Sequence, residues 1–195
     1  PTGWLRNRQP TPRADKMSGE YVSSEVVNWL DNKKDSKPFF LYVAFTEVHS
    51  PLASPKKYLD MYSQYMSAYQ KQHPDLFYGD WADKPWRGVG EYYANISYLD
   101  AQVGKVLDKI KAMGEEDNTI VIFTSDNGPW LQEGPLGGRA LPLREGKTTA
   151  FEGGVRVPCI AYWKGQIKPV VNTDVVSLLD WFPTVTALSG GILPD

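Results

Sequence analysis

The chain has 195 residues, of which 42% are hydrophobic and 23% charged, as expected for a globular domain with a sizeable core. A net charge of −2 argues against the broad basic surface of a nucleic-acid-binding protein, and the single cysteine excludes an internal disulfide framework. No apolar run approaches the roughly 20 residues of a membrane-spanning helix. The composition therefore predicts a globular protein with no membrane span and no nucleic-acid partner.

The first half of the chain alternates predicted loop, helix and strand. Residues 1–17 are interpreted as a loop, and apolar side chains at helical spacing predict a helix from Ser18 to about Asn32. The apolar run Pro38–Phe45, bounded by turn signals, is typical of a strand buried on both faces. Residues 50–90, rich in Tyr, Trp, Pro and Lys, are interpreted as a long excursion with short helices; an excursion of this length usually has a function.

The second half predicts two more strands and two helices. Strands are expected at Thr119–Asp126 and Val157–Trp163, with Cys159 as a buried, inert thiol. A helix over Asp174–Leu188 is expected to be bent or broken by Pro183. The order of elements predicts an α/β domain with a largely parallel sheet and helices on both faces. The other helix, from Gly90 to Met113, has an apolar stripe of Tyr93, Ile96, Leu99, Val103, Val106, Leu107 and Ile110.

Polar residues follow two of the predicted strands at the point where each strand ends. His49 comes after the first strand, and Asp126 and Asn127 come after the second. Because ligands gather at the carboxyl ends of parallel strands, these residues are expected at one edge of the sheet. Carboxylate and amide oxygens suit Ca²⁺ or Mg²⁺. The Asp-Asn-Gly sequence is also a common turn, and the three residues alone favour the turn.

Both a functional and an ordinary interpretation exist for Lys147, His49 and Asn95. Lys147 follows a loop rich in Gly and Pro, where a lysine can hold an oxyanion, although a solvated lysine is more common. His49 is favoured as functional by its position after a strand, whereas His73 is interpreted as a surface residue. Asn95 begins an N-glycosylation pattern, but its place on an apolar helix argues against use.

Five segments taken together resemble the sulfatase family of the alkaline-phosphatase-like superfamily. The resemblance is closest to the branch of arylsulfatase A and N-acetylgalactosamine-6-sulfatase, and it covers most of residues 37–190 apart from the excursion. The order and spacing of the segments carry the resemblance, since no single motif decides it. In family order the segments are PFFLYVAFTEVHSP, YYANISYLDAQVGKVLDKI, NTIVIFTSDNG, GKTTAFEGGVRVPCIAYWKG and LLDWFPTVTALSG.

The resemblance implies a role for each candidate residue. Asp126 and Asn127 match the later pair of metal ligands in the family, whose metal is usually Ca²⁺, with Mg²⁺ as the alternative. His49 matches the histidine that contacts the sulfate ester near the leaving oxygen, and Lys147 matches the lysine that holds a sulfate oxygen. The family nucleophile is a formylglycine hydrate made from a C/S-x-P-x-R motif. A sulfated small molecule or glycan is the implied substrate, and a secreted, periplasmic or lysosomal location is implied as well; the oligomeric state is not.

The sequence departs from the family pattern in a way that affects the expected activity. It contains no C/S-x-P-x-R motif, since Cys159 is followed by Ile-Ala-Tyr-Trp. The Asp-Asp and Lys-x-His elements of the family's N-terminal part are also absent ahead of the first matched segment. Asp126 and Asn127 supply about two or three of the roughly six to eight oxygens that Ca²⁺ takes. We therefore expect residues 1–195 to be a partial catalytic domain, without the nucleophile part and the C-terminal small domain, and to be inactive alone.

Two alternatives remain open from the sequence. A phosphodiesterase or phosphatase of the same superfamily commonly uses two metals and more His and Asp ligands, which the two histidines of this chain support poorly. A non-catalytic glycan-binding remnant would stack aromatic rings of the 50–90 region on sugars, although their helical spacing favours ordinary packing. The residues for such a surface are Tyr58, Tyr62, Tyr65, Tyr69, Trp81, Trp86, Lys56, Lys57 and Arg87.

Overall fold

The structure, a computed structural model, describes residues 4–11, 16–50, 52–65 and 89–193. The chain divides into two units, Pro1–Lys164 and Gly165–Asp195. None of the described helices is long and apolar enough to cross a membrane. The interpretation of His73 as a surface residue lies outside the described residues, as do the sugar contacts suggested for Tyr69, Trp81, Trp86 and Arg87.

Three helices pack together in the first unit. They are α1 (Ser18–Asn32), α2 (Lys56–Met61) and α3 (Val89–Ala112). The bounds of α1 and α3 confirm the two predicted helices, and α2 confirms a short helix within the 50–90 region. Gly114 follows α3 with φ of 75°, a left-handed conformation that glycine adopts without strain and that commonly ends helices.

The core of these helices is centred on aromatic packing between α2 and α3. Tyr58 and Tyr98 are buried, and their rings meet edge to face with 5.6 Å between centroids. The Tyr98 hydroxyl accepts a hydrogen bond of 2.7 Å from the backbone N–H of Glu20 in α1. Burial raises the pKa of Tyr98 to about 12. Tyr58 is therefore a core residue, and a sugar-stacking role for it is wrong.

The buried side of α3 matches the predicted apolar stripe only in part, since Ile110 of that stripe is buried. Ile96 and Leu107 of that stripe are 42% and 40% exposed, whereas the polar residues Asn95 and Gln102 are buried. Gln102 accepts a bond of 2.9 Å from the Ser23 hydroxyl of α1, and the Asn95 amide donates to the carbonyl of Ala53 at 2.6 Å. Hydrogen bonds to neighbouring segments thus offset the cost of burying the polar side chains on this side of α3. It also engages the Asn95 nitrogen that glycosylation would need.

A β-hairpin occupies part of the region that was predicted as a loop over residues 1–17. Strands β1 (Trp4–Arg6) and β2 (Gln9–Thr11) pair antiparallel, with Arg6 opposite Gln9. The two residues between them, Asn7 and Arg8, have φ of 52° and 66°. Left-handed conformations at both central positions are those of the two-residue turn that matches strand twist, so the loop prediction is wrong here.

The prediction of parallel neighbours is wrong for the second and third predicted strands. They are β3 (Val121–Thr124) and β4 (Cys159–Tyr162), and they pair antiparallel. Parallel pairing needs a crossover, usually a helix, but this connection holds only a 3-10 segment, Leu131–Leu136, and a four-residue helix α4, Glu152–Val155. Cys159 is exposed, not buried as predicted, because the sheet in the described residues has only these two strands.

The apolar run Pro38–Phe45 was predicted to be a strand buried on both faces. In the structure residues 38–45 form neither strand nor helix, and one side of the segment is open. Phe40 and Tyr42 are 73% and 86% exposed, while Phe39 and Leu41 are partly buried. Within the part of the chain that the structure describes, no strand pairs with this segment, so the prediction of a strand buried on both faces is wrong.

The second unit contains the last helix, α5 (Trp181–Leu188), which begins later than the predicted start at Asp174. A 3-10 turn precedes it, and Ser177 caps that turn: its hydroxyl accepts from Leu179 N, while Asp180 accepts from Ser177 N. Pro183 falls in the first turn of α5, where its missing N–H costs no helical hydrogen bond. The prediction that Pro183 bends or breaks a longer helix is therefore wrong.

Candidate functional site

His49 lies in a turn that follows the 38–45 segment. Its backbone N–H donates to the Thr46 carbonyl at 2.9 Å, and its ring is exposed. Nδ1 lies 2.6 Å from the Ser50 carbonyl oxygen. Because a carbonyl oxygen only accepts, Nδ1 carries a proton, and Nε2 remains as the nitrogen that can meet a ligand.

Glu47 anchors this turn to the beginning of α1. Its Oε1 accepts hydrogen bonds from the Ser18 hydroxyl at 2.7 Å and from the Gly19 backbone N–H at 2.8 Å. The second oxygen, Oε2, is buried and has no hydrogen-bond partner within the described residues. A carboxylate at a helix N-terminus is favoured by the helix dipole. The sequence contains no signal for this role of Glu47, since nothing in its neighbourhood indicates the contact with α1.

Asp126 and Asn127 follow β3 directly, as predicted. The Asn127 side-chain amide donates to Asp126 Oδ2 at 2.6 Å, which leaves the amide oxygen of Asn127 and the other carboxylate oxygen as hard ligands. Gly128, the next residue of the loop, is held by its backbone N–H, which donates to the Gly154 carbonyl at 3.0 Å. The two oxygens fit a Ca²⁺ or Mg²⁺ site in chemistry. No group of three or more His, Cys, Asp and Glu side chains suited to a metal occurs in the described parts of the chain.

A backbone hydrogen bond fixes the position of Lys147 in its loop. Its N–H donates to the Pro129 carbonyl at 2.8 Å, which ties it to the loop that carries Asp126 and Asn127. Glu145 and Thr148 have φ of 61° and 76°. The left-handed region is costly for a β-branched residue such as Thr148, and strain of this kind concentrates at functional sites. The backbone around Lys147 is therefore strained on both sides.

Trp130 brings two of the predicted site residues together. The His49 ring lies 5.5 Å from the Trp130 ring between centroids, and the ammonium nitrogen of Lys147 lies 5.4 Å from the Trp130 ring centroid. Trp130 itself is partly buried. A second tie joins the same segments, since the Ser50 hydroxyl donates to Glu133 Oε2 at 3.2 Å. The sequence contains no signal for these contacts beyond an aromatic residue in a Gly- and Pro-rich loop.

Glycines let the loops of the site approach backbone to backbone. A Cβ built on Gly128 would lie 1.8 Å from the Gly153 carbonyl oxygen, and a Cβ built on Gly153 would lie 2.0 Å from the Glu145 carbonyl oxygen. Side chains at these positions would force the loops apart. Glycine therefore fixes the spacing between the Asp126 loop, the Lys147 loop and the start of α4.

The arrangement combines one cation, one histidine and a pair of hard oxygen ligands on neighbouring loops. Lys147 and His49 share an aromatic neighbour, and Asp126 and Asn127 lie within four residues of Trp130 in the sequence. A lysine ammonium and an imidazole Nε2 are suited to an oxyanion, and the oxygen pair is suited to a divalent cation. These four residues therefore remain candidates for binding an oxyanion and a divalent cation.

Comparison with known proteins identifies the class of this chain. The sequence model of the Sulfatase family matches residues 4–192. Human arylsulfatase A is 34% identical over 179 residues, which cover 92% of this chain and 30% of that protein. The arylsulfatase of Clostridium perfringens is 29% identical over 220 residues, covering all of this chain and 41% of that protein. The chain belongs to the sulfatase family, and it spans about a third of the length of these relatives.

Solved structures agree with this assignment. Ps i-CgsB, solved in complex with k-i-k-neocarrahexaose, has a TM-score of 0.76 and 28% identity, covering 99% of this chain and 38% of that one. A protein in complex with its substrate D-glucosamine-2-N,6-O-disulfate has a TM-score of 0.74 at 17% identity, over 97% of this chain and 51% of that one. The second likeness concerns the fold alone. The fold is thus that of an α/β sulfatase domain.

Proposed function

We propose that this chain supplies sulfate contacts and metal ligands to an enzyme that hydrolyses sulfate esters. The observation that carries the proposal is the meeting of His49 and Lys147 at the Trp130 ring. Membership of the sulfatase family supports the reaction class, and the arylsulfatase relatives do not favour the phosphoryl-transfer alternative.

His49 and Lys147 have separate tasks in this proposal. The Lys147 ammonium has three donors and no acceptor, so it binds a sulfate oxygen and offsets its negative charge. His49 keeps Nδ1 on the Ser50 carbonyl and presents Nε2 to the ester oxygen. A protonated Nε2 donates to that oxygen as the bond to sulfur breaks, which stabilises the leaving group.

Asp126 and Asn127 would hold the metal, for which we propose Ca²⁺, with Mg²⁺ as the alternative. The Asn127–Asp126 hydrogen bond would keep the two side chains together at a shared ion. A bound divalent metal would polarise the sulfate group as a Lewis acid. Two residues fill only part of the coordination shell, so further ligands and the nucleophile, a formylglycine in the family that this chain resembles, would come from outside residues 1–195.

We propose that residues 1–195 form part of a larger catalytic domain. Large exposed apolar side chains on the β3–β4 pair and on the 38–45 segment support this, since Phe40, Phe123 and Ile160 are 73%, 42% and 60% exposed. A cleft of about 320 Å³ lies between α3 and the β3–β4 pair, with Leu107, Ile110 and Val121 in its walls. Apolar surface of this extent normally packs against further structure.

The substrate proposed here is a sulfated glycan. The structural relative at 28% identity is solved with a neocarrahexaose, and this chain aligns with it over nearly its whole length. We also propose a secreted, periplasmic or lysosomal location for the enzyme, in keeping with the sulfatase family to which the chain belongs.

The proposal is tested in the complete sulfatase that carries this chain. Lys147→Ala should lower kcat/KM for an aryl sulfate or a sulfated oligosaccharide by about 10²–10³, because a charge contact in the transition state is lost. His49→Ala should also lower kcat/KM, and the loss should be smaller for an aryl sulfate with a good leaving group, which needs less protonation. Lys34→Ala, an exposed lysine after α1, serves as the matched control.

The control should leave turnover unchanged, and thermal unfolding midpoints should show that all variants fold. Unchanged kcat/KM in both Lys147→Ala and His49→Ala would remove these residues from the site and contradict the proposal. In a separate measurement, the isolated 195-residue chain should not turn over an aryl sulfate, since it supplies neither the nucleophile nor a complete metal shell. Turnover by that chain would show that the chemistry resides here.

A further inference from the structure

The Trp130 ring is the point at which the two proposed sulfate contacts meet. Lys147 reaches it with the ammonium nitrogen 5.4 Å from the ring centroid, and His49 packs on it at 5.5 Å with planes tilted by 42°. The two residues come from loops far apart in the sequence. A single indole therefore joins the segment after residues 38–45 to the Lys147 loop.

The backbone of Trp130 is fixed on both sides. Its carbonyl accepts from Glu133 N at 3.0 Å, and a Cβ added to Gly137 would lie 1.8 Å from that carbonyl oxygen. The neighbouring Pro129 carbonyl accepts from Lys147 N at 2.8 Å. The backbone that carries the indole is thus held by close packing that does not involve the two side chains against the ring.

A fixed indole reduces the freedom of its two neighbours before any ligand binds. The lysine side chain has a flexible stem of four carbons, and it loses much rotamer entropy when its ammonium group is held in one place. The face of an indole attracts a cation and the edge of a second aromatic ring, so it favours one arrangement of Lys147 and of His49. Groups held in place in advance stabilise a transition state without a further ordering cost at the moment of reaction.

We propose that Trp130 is a positioning residue that holds the Lys147 ammonium and the His49 ring so that both meet one sulfate group. This inference rests on the proposed function, since it assigns Trp130 a task only if His49 and Lys147 bind the ester. Trp130 contributes its aromatic face, so phenylalanine preserves most of the effect and leucine removes it.

The test is a double-mutant cycle in the complete sulfatase, with kcat/KM for a sulfate ester as the readout. Trp130→Leu should lower kcat/KM by about 10–100-fold, the range expected when a catalytic group is displaced by about 1 Å. Trp130→Phe should retain activity within about 5-fold, because the phenyl face still attracts the ammonium. In a Lys147→Ala background, Trp130→Leu should cost less than about 5-fold, since much of its effect passes through Lys147.

A matched control is available in α1. Trp29 is 47% exposed and packs edge to face on Phe39 with 6.0 Å between ring centroids, at a place remote in sequence from the site loops. Trp29→Leu should leave kcat/KM unchanged while removing an aromatic contact of similar size. Thermal unfolding midpoints of all variants separate loss of fold from loss of positioning.

The outcomes distinguish this inference from the proposed function. If Lys147→Ala and His49→Ala have no effect, the proposed function fails, whatever Trp130 does. If those variants lose activity but Trp130→Leu keeps it, the positioning role is wrong. It is also wrong if the losses of Trp130→Leu and Lys147→Ala are fully additive, or if Trp130→Phe loses as much as Trp130→Leu.

Discussion

Replacing Glu47 by alanine should destabilise the His49 turn and the start of α1 together. The substitution removes two hydrogen bonds to a carboxylate, from the Ser18 hydroxyl at 2.7 Å and from Gly19 N at 2.8 Å. Bonds to a charged group contribute about 1.5–3 kcal/mol each, so roughly 3–6 kcal/mol is lost. Removing the buried, unpartnered Oε2 returns about 1–3 kcal/mol. At the middle of these two ranges, the net loss of unfolding free energy is about 2.5 kcal/mol.

Urea unfolding measures the loss of unfolding free energy, and hydrogen exchange shows which segment is destabilised. Peptides over residues 16–24 should exchange faster in Glu47→Ala, because the Gly19 N–H loses its acceptor. Glu47→Gln keeps an acceptor oxygen and should lose about 1 kcal/mol. Glu25→Ala is the matched control, since it removes a carboxylate paired with Arg6 at 2.5 Å on the surface of the same helix. An exposed pair of this kind contributes at most about 1 kcal/mol.

Two results would refute the reasoning about Glu47. A loss below about 0.5 kcal/mol for Glu47→Ala would mean that the bonds to Ser18 and Gly19 add nothing beyond what water supplies. A loss in Glu25→Ala equal to that in Glu47→Ala would show that a carboxylate near α1 matters through its charge alone and not through its bonds. In either case Glu47 would not anchor the turn that carries His49.

Two further predictions concern pH and backbone spacing. Burial raises the pKa of Tyr98 to about 12, from 10 in the unfolded chain. Its contribution to the free energy of unfolding is therefore complete below pH 10 and is lost as the pH rises through 12. Tyr98→Phe should flatten the plot of unfolding free energy against pH in that range, and an unchanged slope would contradict the prediction. Gly128→Ala should destabilise the fold by about 3 kcal/mol or more, since its Cβ would lie 1.8 Å from the Gly153 carbonyl oxygen. Gly104→Ala, in open space on α3, should instead stabilise the fold by about 0.5–1 kcal/mol. Equal effects of the two variants in thermal unfolding would contradict this prediction.

The helices were predictable because their signals are local. Apolar spacing places α1 and α3 nearly at their observed bounds, and Gly114 marks the end of α3. Which side of α3 is buried was not predictable, since Asn95 and Gln102 become buriable only through partners on other segments. Periodicity reports side-chain hydrophobicity and contains no information about polar pairing across the core.

Strand pairing was predicted less well because it depends on the connection and not on the strand. The residues of β3 and β4 read as buried strands, and their antiparallel register follows from a connection without a long crossover helix. The β1–β2 hairpin was missed since Asn7 and Arg8 adopt left-handed conformations without the glycine that usually signals such a turn.

The candidate site divides in the same way between what is local and what is not. The sequence places Asp126 and Asn127 at the end of β3, and it places His49 after the 38–45 segment, because each follows an apolar run directly. Their position relative to Lys147 depends on Trp130 and on glycines that let the loops pack closely. At Gly128 and Gly153 a built Cβ would lie only 1.8–2.0 Å from a neighbouring carbonyl oxygen. Such contacts involve residues without reactive groups, so a search for chemistry-bearing side chains does not find them. It follows that activity should be as sensitive to changes at Gly128, Gly153 and Trp130 as to changes in the groups that meet the sulfate, since the former determine where the latter lie.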